Sequence, residues 1–239
     1  MEYLPIFADI NRRPCLVVGG GEVAWRKTQM LLKAGANVHL VAKSVSPEIQ
    51  AAITNQQVVL LADSFAPELL NGMFLAIAAT DSKAINALVY QAANQRQILV
   101  NVVDDTQRCS FIVPSIIDRS PIVIAISSAG KAPVLARLVR EKLEALLPQH
   151  LGKMAQVAGE FRAQLKQVLP SFSARRHFWE QAFRGRFAQL IASNNIEQAK
   201  AELITLSHQS NPVGHVSLVG AGPGDPELLT LKALQQMQQ

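Results

Sequence analysis

The stretch VVGGGEVAWRK, Val17 to Lys27, decides how the rest of the chain is read. An apolar run, Pro14 to Gly20, reads as a buried strand. Three glycines follow, and then a segment in which Val23, Ala24, Met30, Leu31 and Ala34 share one helical face. Gly35 suits the stop of that helix. Gly19, Gly21 and Ala24 fit G-x-G-x-x-A in the order strand, loop, helix, which is the dinucleotide fingerprint. Gly19 permits the tight turn, Gly21 lets the backbone approach a pyrophosphate, and Ala24 lets helix pack on strand. The phosphates would meet the free N–H groups of the helix N-terminus, among them those of Glu22 and Val23. The alternative is a glycine-rich turn with no ligand.

Outward from this loop the chain alternates. Residues 37–43, 57–63, 73–80 and 98–104 read as further strands, and 82–96 as a helix, with helical or irregular chain to about Asn55. The fourth strand is almost wholly apolar, as a strand covered on both faces must be. This spacing predicts a parallel sheet with flanking helices. The pattern then changes. Residues 110–128 hold two β-rich runs around a polar turn at Asp118–Pro121. Pro133 to Leu147 carries an apolar stripe, and 148–207 reads as helical with breaks near Pro148 and Pro170. Residues 208–214 are a polar linker, after which strand, glycine loop and helix begin again. The fold class is therefore α/β: a Rossmann-type parallel sheet over 1–112, a strand-containing region over 113–147, a helical region over 148–207, and the start of another domain over 215–239.

Composition narrows the function. The 239 residues are 49% hydrophobic but only 5% aromatic, so Val, Ile, Leu and Ala must build the core. No apolar run is long enough to cross a membrane, and the N-terminus lacks a signal layout. The two cysteines, Cys15 and Cys109, are far apart, so a reduced, cytoplasmic setting is expected. The net charge of +5 is uneven: residues 1–104 balance at 8 basic and 8 acidic, whereas 105–210 carry 14 and 8. An anionic partner fits this excess. There is no dense Lys/Arg run with aromatic interleaving, so an acidic small molecule suits it at least as well as nucleic acid. The five histidines are scattered, and no pair has metal-ligand spacing on a helix.

Several residues are candidates for chemistry. The usual fingerprint places a carboxylate at the end of the second strand, for the ribose hydroxyls. Here Lys43 and Ser44 stand there. Ser44 can bond a ribose and Lys43 can tolerate a 2′-phosphate, so NAD and NADP both remain open on residues alone. The fifth strand ends with Asn101, Asp104 and Asp105, where a carboxylate can face a nicotinamide and its substrate; the alternative is a solvated turn. In SSAGKAP, Ser127, Ser128, Gly130 and Lys131 precede Pro133 at a helix start, a grouping suited to carboxylates or phosphates. Arg137 and Arg140 lie together on that helix, either facing the anion or paired with Glu141 and Glu144. Ser128 is also a candidate for modification, because phosphate there would oppose an anionic ligand. The stretch RRHFWEQAF, 175–183, reads as a packed amphipathic helix.

These stretches, with LPIF, FLAIAATD, NVVDD, FIVPSIIDRSP and SSAGKAPVLARLVREKLEALLPQHLG, resemble the N-terminal part of the trifunctional siroheme synthase family. The resemblance runs over nearly the whole chain. It implies a homodimer that oxidises precorrin-2 to sirohydrochlorin with NAD and then inserts ferrous iron as a substrate. It puts the catalytic carboxylate on Asp104. Cofactor contacts fall on Gly19, Gly20, Gly21, Glu22, Val23, Lys43 and Ser44, and the family's loop serine falls on Ser128. Asn101, Ser128, Lys131 and Arg137 become candidates for holding the tetrapyrrole, and 113–147 becomes a dimerisation region. No nucleic acid and no membrane are implied. VGAGPGDPELL matches the opening of the family's S-adenosylmethionine-dependent methyltransferase module, with Pro223 at a cofactor contact. Too little of that module follows for methyl transfer to be expected here. The competing reading is an NAD(H)-sensing module whose basic half meets DNA or a partner. A sensor has no need of a carboxylate at Asp104.

Overall fold

The computed structural model describes residues 2–208 together with 218–220, 224, 228–230, 233 and 237. Five parallel strands form the main sheet: β1 (Pro14–Val18), β2 (Asn37–Val41), β3 (Val58–Ala62), β4 (Leu75–Ala78) and β5 (Leu99–Val102), in the order β3-β2-β1-β4-β5. The helices α1 (Glu22–Lys33), α2 (Pro47–Thr54) and α3 (Lys83–Gln95) connect them. Ser46 and Ser82 cap α2 and α3, accepting from the backbone N–H groups of Ile49 and Ile85.

Alternation along β1 shows why the sheet is buried on both faces. Cys15 and Val17 point into one core layer with Ala24, Leu31, Val38, Leu40, Ile49 and Ile77. Leu16 and Val18 point into the other with Ala76, Ala78, Val89, Ala93, Val100 and Val102. Each buried Val, Leu or Ile among them contributes about 1.5–3 kcal/mol relative to exposure. The strand order reverses direction between β1 and β4. A crevice opens there at the carboxyl ends, the place where open α/β sheets hold ligands.

After the sheet, β6 (Ser115–Arg119) and β7 (Ile122–Ile126) pair as a small antiparallel ribbon. The helix α4 (Pro133–Leu146) follows with proline in its first turn. Val134 and Leu135 on α4 are 63% and 60% exposed, and no residue of the helix is buried.

The chain divides into two compact units. The first is Met1–Asp118 with Val123–Pro148, and the second is Arg119–Ile122 with the residues from Gln149 onward. The second unit contains α5 (Leu151–Val168), α6 (Phe172–Arg184), α7 (Arg186–Ala192) and α8 (Ile196–His208). Pro170 separates α5 from α6, where the sequence places a break. Two further breaks, at Gly185 and at Ser193–Asn195, carry no proline and were not anticipated. The RRHFWEQAF stretch lies on α6, as its amphipathic pattern predicts. Phe178 is buried, stacks on Phe161 at 6.1 Å between ring centroids, and meets the edge of Trp179 at 4.9 Å.

Candidate dinucleotide site

The glycine loop is built by three different demands. Gly19 has φ +133°, and a Cβ on it would lie 2.3 Å from the carbonyl oxygen of Ala79 at the end of β4. Gly20 is pressed against the chain leaving β2, where a Cβ would lie 1.9 Å from the carbonyl oxygen of Ser44. Its own carbonyl accepts from the Ser46 N–H at 2.8 Å, which binds the two loops together. At Gly21 a Cβ would meet nothing within 4 Å. Gly21 is also the N-cap of α1 and offers no side-chain cap to the helix. The first N–H groups of α1 therefore face open space, where a diphosphate can take the place of a cap. Ala24 is fully buried against the sheet, as the close helix–strand packing requires.

The concavity at this point has a volume of about 1010 Å³. Gly19, Gly20, Gly21, Glu22, Val23, Lys43, Ser44 and Asp104 all line it. The structure thus gathers the proposed cofactor residues and the proposed catalytic carboxylate around one space. Its size and its glycine floor fit a dinucleotide.

Other candidates lie elsewhere. Asn101 is buried, does not line this space, and spends its amide on the Phe111 carbonyl at 3.0 Å and the Cys109 sulfur at 3.4 Å. Ser128 Oγ accepts from the Ala132 N–H at 3.1 Å, just ahead of α4. Lys131 pairs with Glu2, and Arg137 pairs with Glu141 at 3.7 Å. Arg140 pairs with Glu144 at 2.9 Å. For Arg137 and Arg140, the structure takes the salt-paired alternative. None of Ser128, Lys131 and Arg137 lines the glycine crevice. Yet the serine loop is close to the end of β5, because a Cβ on Gly130 would lie 2.8 Å from Thr106 Cγ2. Pro223 lies outside the described residues.

The sequence reading missed several residues. Asp63, Thr80, Asp81 and Ser82 also line the concavity. Asp63 follows β3, and so supplies a carboxylate from the third strand where the fingerprint anticipates one from the second. The rule that ligands lie at strand carboxyl ends was the available signal. Thr80 is fixed by buried Asn86, whose carbonyl accepts from Thr80 Oγ1 at 2.7 Å and whose amide donates to the Thr80 backbone at 2.9 Å. Lys27, on the second turn of α1, has its pKa pulled down. Burial is the main cause and Arg26 adds to it, while Asp104 and Cys109 oppose it. An ammonium on α1 thus stands within electrostatic reach of the Asp104 carboxylate. Burial raises the pKa of the Cys109 thiol, and Asp105 raises it further, against the Val102 N–H and Lys27.

A separate groove of about 570 Å³ lies in the helical unit between α5 and α6. Ala158, Gly159, Trp179 and Phe183 line its apolar part, and Arg162 and Lys166 stand at its rim. Among the described residues, no three His, Cys, Asp or Glu side chains gather as a metal cage. No helix among them is long and apolar enough to cross a membrane.

Three family models match in succession. Residues 6–115 match one described as "Putative NAD(P)-binding", 119–146 match "Sirohaem biosynthesis protein central", and 150–206 match "Sirohaem synthase dimerisation region". The siroheme synthase of Photobacterium profundum is 67% identical over 239 residues, covering 100% of this chain and 51% of that protein. The chain corresponds to the N-terminal half of the siroheme synthases. The siroheme synthase of Zymomonas mobilis subsp. mobilis is 57% identical over 240 residues, with the same coverage of 100% and 51%. The chain thus spans about half the length of the curated siroheme synthases it matches. A solved structure titled "SirC, precorrin-2 dehydrogenase" superposes with a TM-score of 0.65 at 24% identity, over 82% of this chain and 100% of that one. That likeness bears on the fold, and it agrees with the parallel sheet, the small antiparallel pair and the helical region.

Proposed function

We propose that this chain is the module that oxidises precorrin-2 to sirohydrochlorin with NAD and then admits ferrous iron to give siroheme. The observation that carries the reading is a single crevice. A glycine floor, open at Gly21 and uncapped at α1, shares one concavity with the Asp104 carboxylate. The backbone of Gly21, Glu22 and Val23 would hold the diphosphate of NAD. Ser44 and Asp63 would meet the ribose hydroxyls, with Lys43 at the rim.

When bound, NAD accepts the hydride. Oxidation of precorrin-2 releases a hydride and a proton, and Asp104 receives the proton. Insertion of ferrous iron releases two more protons from pyrrole nitrogens, and the same carboxylate can take them in turn. Asp104 is exposed at the mouth of the crevice, so it returns each proton to water. General-base assistance of this kind is worth about 10²–10⁴-fold in rate. Lys27 brings an ammonium within electrostatic reach of Asp104.

The substrate's carboxylates would meet the loop Ser127–Lys131, which the Gly130–Thr106 contact holds beside the Asp104 turn. The uncovered apolar face of α4 supports a homodimer in which a second copy covers it. The match to a dimerisation region supports a homodimer as such; it falls on 150–206, outside α4 and outside the 113–147 that the resemblance implied. The free thiols Cys15 and Cys109 accord with a reducing, cytoplasmic setting.

The test mixes the purified chain anaerobically with precorrin-2 and NAD and follows NADH absorbance, the native chain beside Asp104→Ala. NADH should form with the native chain and fall at least about 100-fold with the variant. Full turnover by Asp104→Ala would remove that residue from the chemistry. Salt-sensitive DNA binding without turnover would favour a sensor.

A further inference from the structure

β5 is an edge strand, so its outer N–H and C=O groups need partners that no sixth strand supplies. Side chains supply several of them. The Val100 N–H donates to Ser110 Oγ at 2.7 Å, and the Val102 N–H donates to Cys109 Sγ at 3.3 Å. The thiol lies 3.2 Å from the Asp105 carbonyl and 3.3 Å from the Val102 carbonyl, either of which accepts its proton. Asn101 donates its amide to the same sulfur at 3.4 Å. The chain thus returns along the edge of β5, and its intervening turn is tied at both ends.

Asp104 sits in that turn with φ 59°. A non-glycine residue in this left-handed region is held there by its surroundings. The ties at Cys109 close on Val102 and Asp105, on either side of Asp104. Cys109 itself does not line the crevice.

We propose that Cys109 is a positioning residue for Asp104: its thiol, bridging Val102 and Asp105, holds the turn in the conformation that presents the carboxylate to the crevice. This rests on Asp104 being the catalytic carboxylate proposed above. The sulfur does no chemistry itself. It receives the Val102 N–H and the Asn101 amide and gives one S–H, and these bonds constrain the turn that carries Asp104.

The experiment compares Cys109→Ala, Cys109→Ser, Asp104→Ala and the double variant Asp104→Ala/Cys109→Ala, each as the full chain, with precorrin-2 and NAD. Cys109→Ala should lower kcat by about tenfold to a hundredfold, the loss that follows a misplacement of about 1 Å. KM for NAD should stay within about twofold, because the glycine floor is untouched. Cys109→Ser can make the same bonds and should recover most of the rate. The double variant should be no slower than Asp104→Ala alone, because Cys109 acts only through that carboxylate. A native rate in Cys109→Ala, or losses that multiply in the double variant, would overturn the proposal. A native rate in Asp104→Ala would overturn both this proposal and the reading it rests on. Should Cys109→Ala fail to fold, Ser110→Ala cuts the neighbouring tie at Val100 and carries the same expectation. An unchanged kcat there would count against the proposal.

Discussion

Gly20 and Ser44 are in contact across the carboxyl ends of β1 and β2: a Cβ on Gly20 would lie 1.9 Å from the Ser44 carbonyl oxygen. The middle glycine of the loop is a free position in the fingerprint, yet here the fold itself demands it. Gly21 is the opposite case, with open space where its Cβ would be. The two alanine substitutions should therefore separate stability from binding. Gly20→Ala must push backbone against backbone, and should lower the melting temperature by several degrees, the effect of about 1–3 kcal/mol of overpacking. Gly21→Ala should melt near the native temperature but bind NADH at least about tenfold more weakly, because its Cβ fills the approach to the diphosphate. A thermal melt and a fluorescence titration with NADH check both.

Asp63 gives a second prediction. It lines the crevice together with Lys43, and the two charges pull a ribose 2′-phosphate in opposite senses. The carboxylate repels that phosphate and accepts from the free hydroxyls of NAD. Asp63→Ala should therefore reduce the preference for NAD over NADP by about tenfold, the value of one charged hydrogen bond. Lys43→Ala should shift the preference toward NAD. The ratio of kcat/KM for the two cofactors is the measurement, and an unchanged ratio in both variants would place the ribose elsewhere.

These two cases show what could be read from the sequence and what could not. The five strands were legible because each is a short apolar run bounded by turn residues, and α1 because Ala24 and Leu31 recur at helical spacing. Gly19, Gly21 and Asp104 were legible as a site because their places at strand ends are fixed by local order. Gly20 was legible only through the family resemblance, as a cofactor contact; its packing constraint comes from Ser44, which is distant in sequence. Asn101 looked like a site residue from its place beside Asp104. It is buried and does not line the crevice, because its amide is spent on the Phe111 carbonyl and the Cys109 sulfur. The thiol and hydroxyl of Cys109 and Ser110 stand in for a strand, and side-chain bonds of that kind leave no periodic trace. The charges of α4 were legible only as alternatives, and local i,i+4 pairing decided between them at Arg137 and Arg140.

The apolar face of α4 supplies a third prediction. Val134, Leu135, Leu138 and Val139 are exposed in the single chain, on a helix with no buried residue. If a second copy covers this face, a carboxylate at its centre must either be desolvated or keep the copies apart. Leu138→Glu should convert the dimer to monomer, seen as a halved mass in light scattering after size exclusion, with the far-ultraviolet dichroism unchanged. A dimer that survives both Leu135→Glu and Leu138→Glu would move the interface away from α4.

Cys15 gives a prediction in pH. Its thiol is fully buried in β1, and burial raises its pKa from 9.0 to about 11, while a backbone bond at Leu75 works the other way. In the unfolded chain the thiol ionises near its ordinary value, whereas in the folded chain it stays neutral until a higher pH. Between these values the folded state holds the extra proton, so stability must fall as pH rises. The contribution is complete below pH 9.0 and is lost as pH approaches about 11, a total of about 3 kcal/mol. Lys27 acts in the opposite sense, because its folded pKa is lowered and the unfolded chain binds more protons in the alkaline range. The clean readout is therefore the difference between the native chain and Cys15→Ala. Their urea midpoints should differ by a constant amount below pH 9.0 and converge as pH rises, since only the native chain has a thiol to ionise. A constant difference across the alkaline range would show that the thiol titrates alike in the folded and unfolded chains.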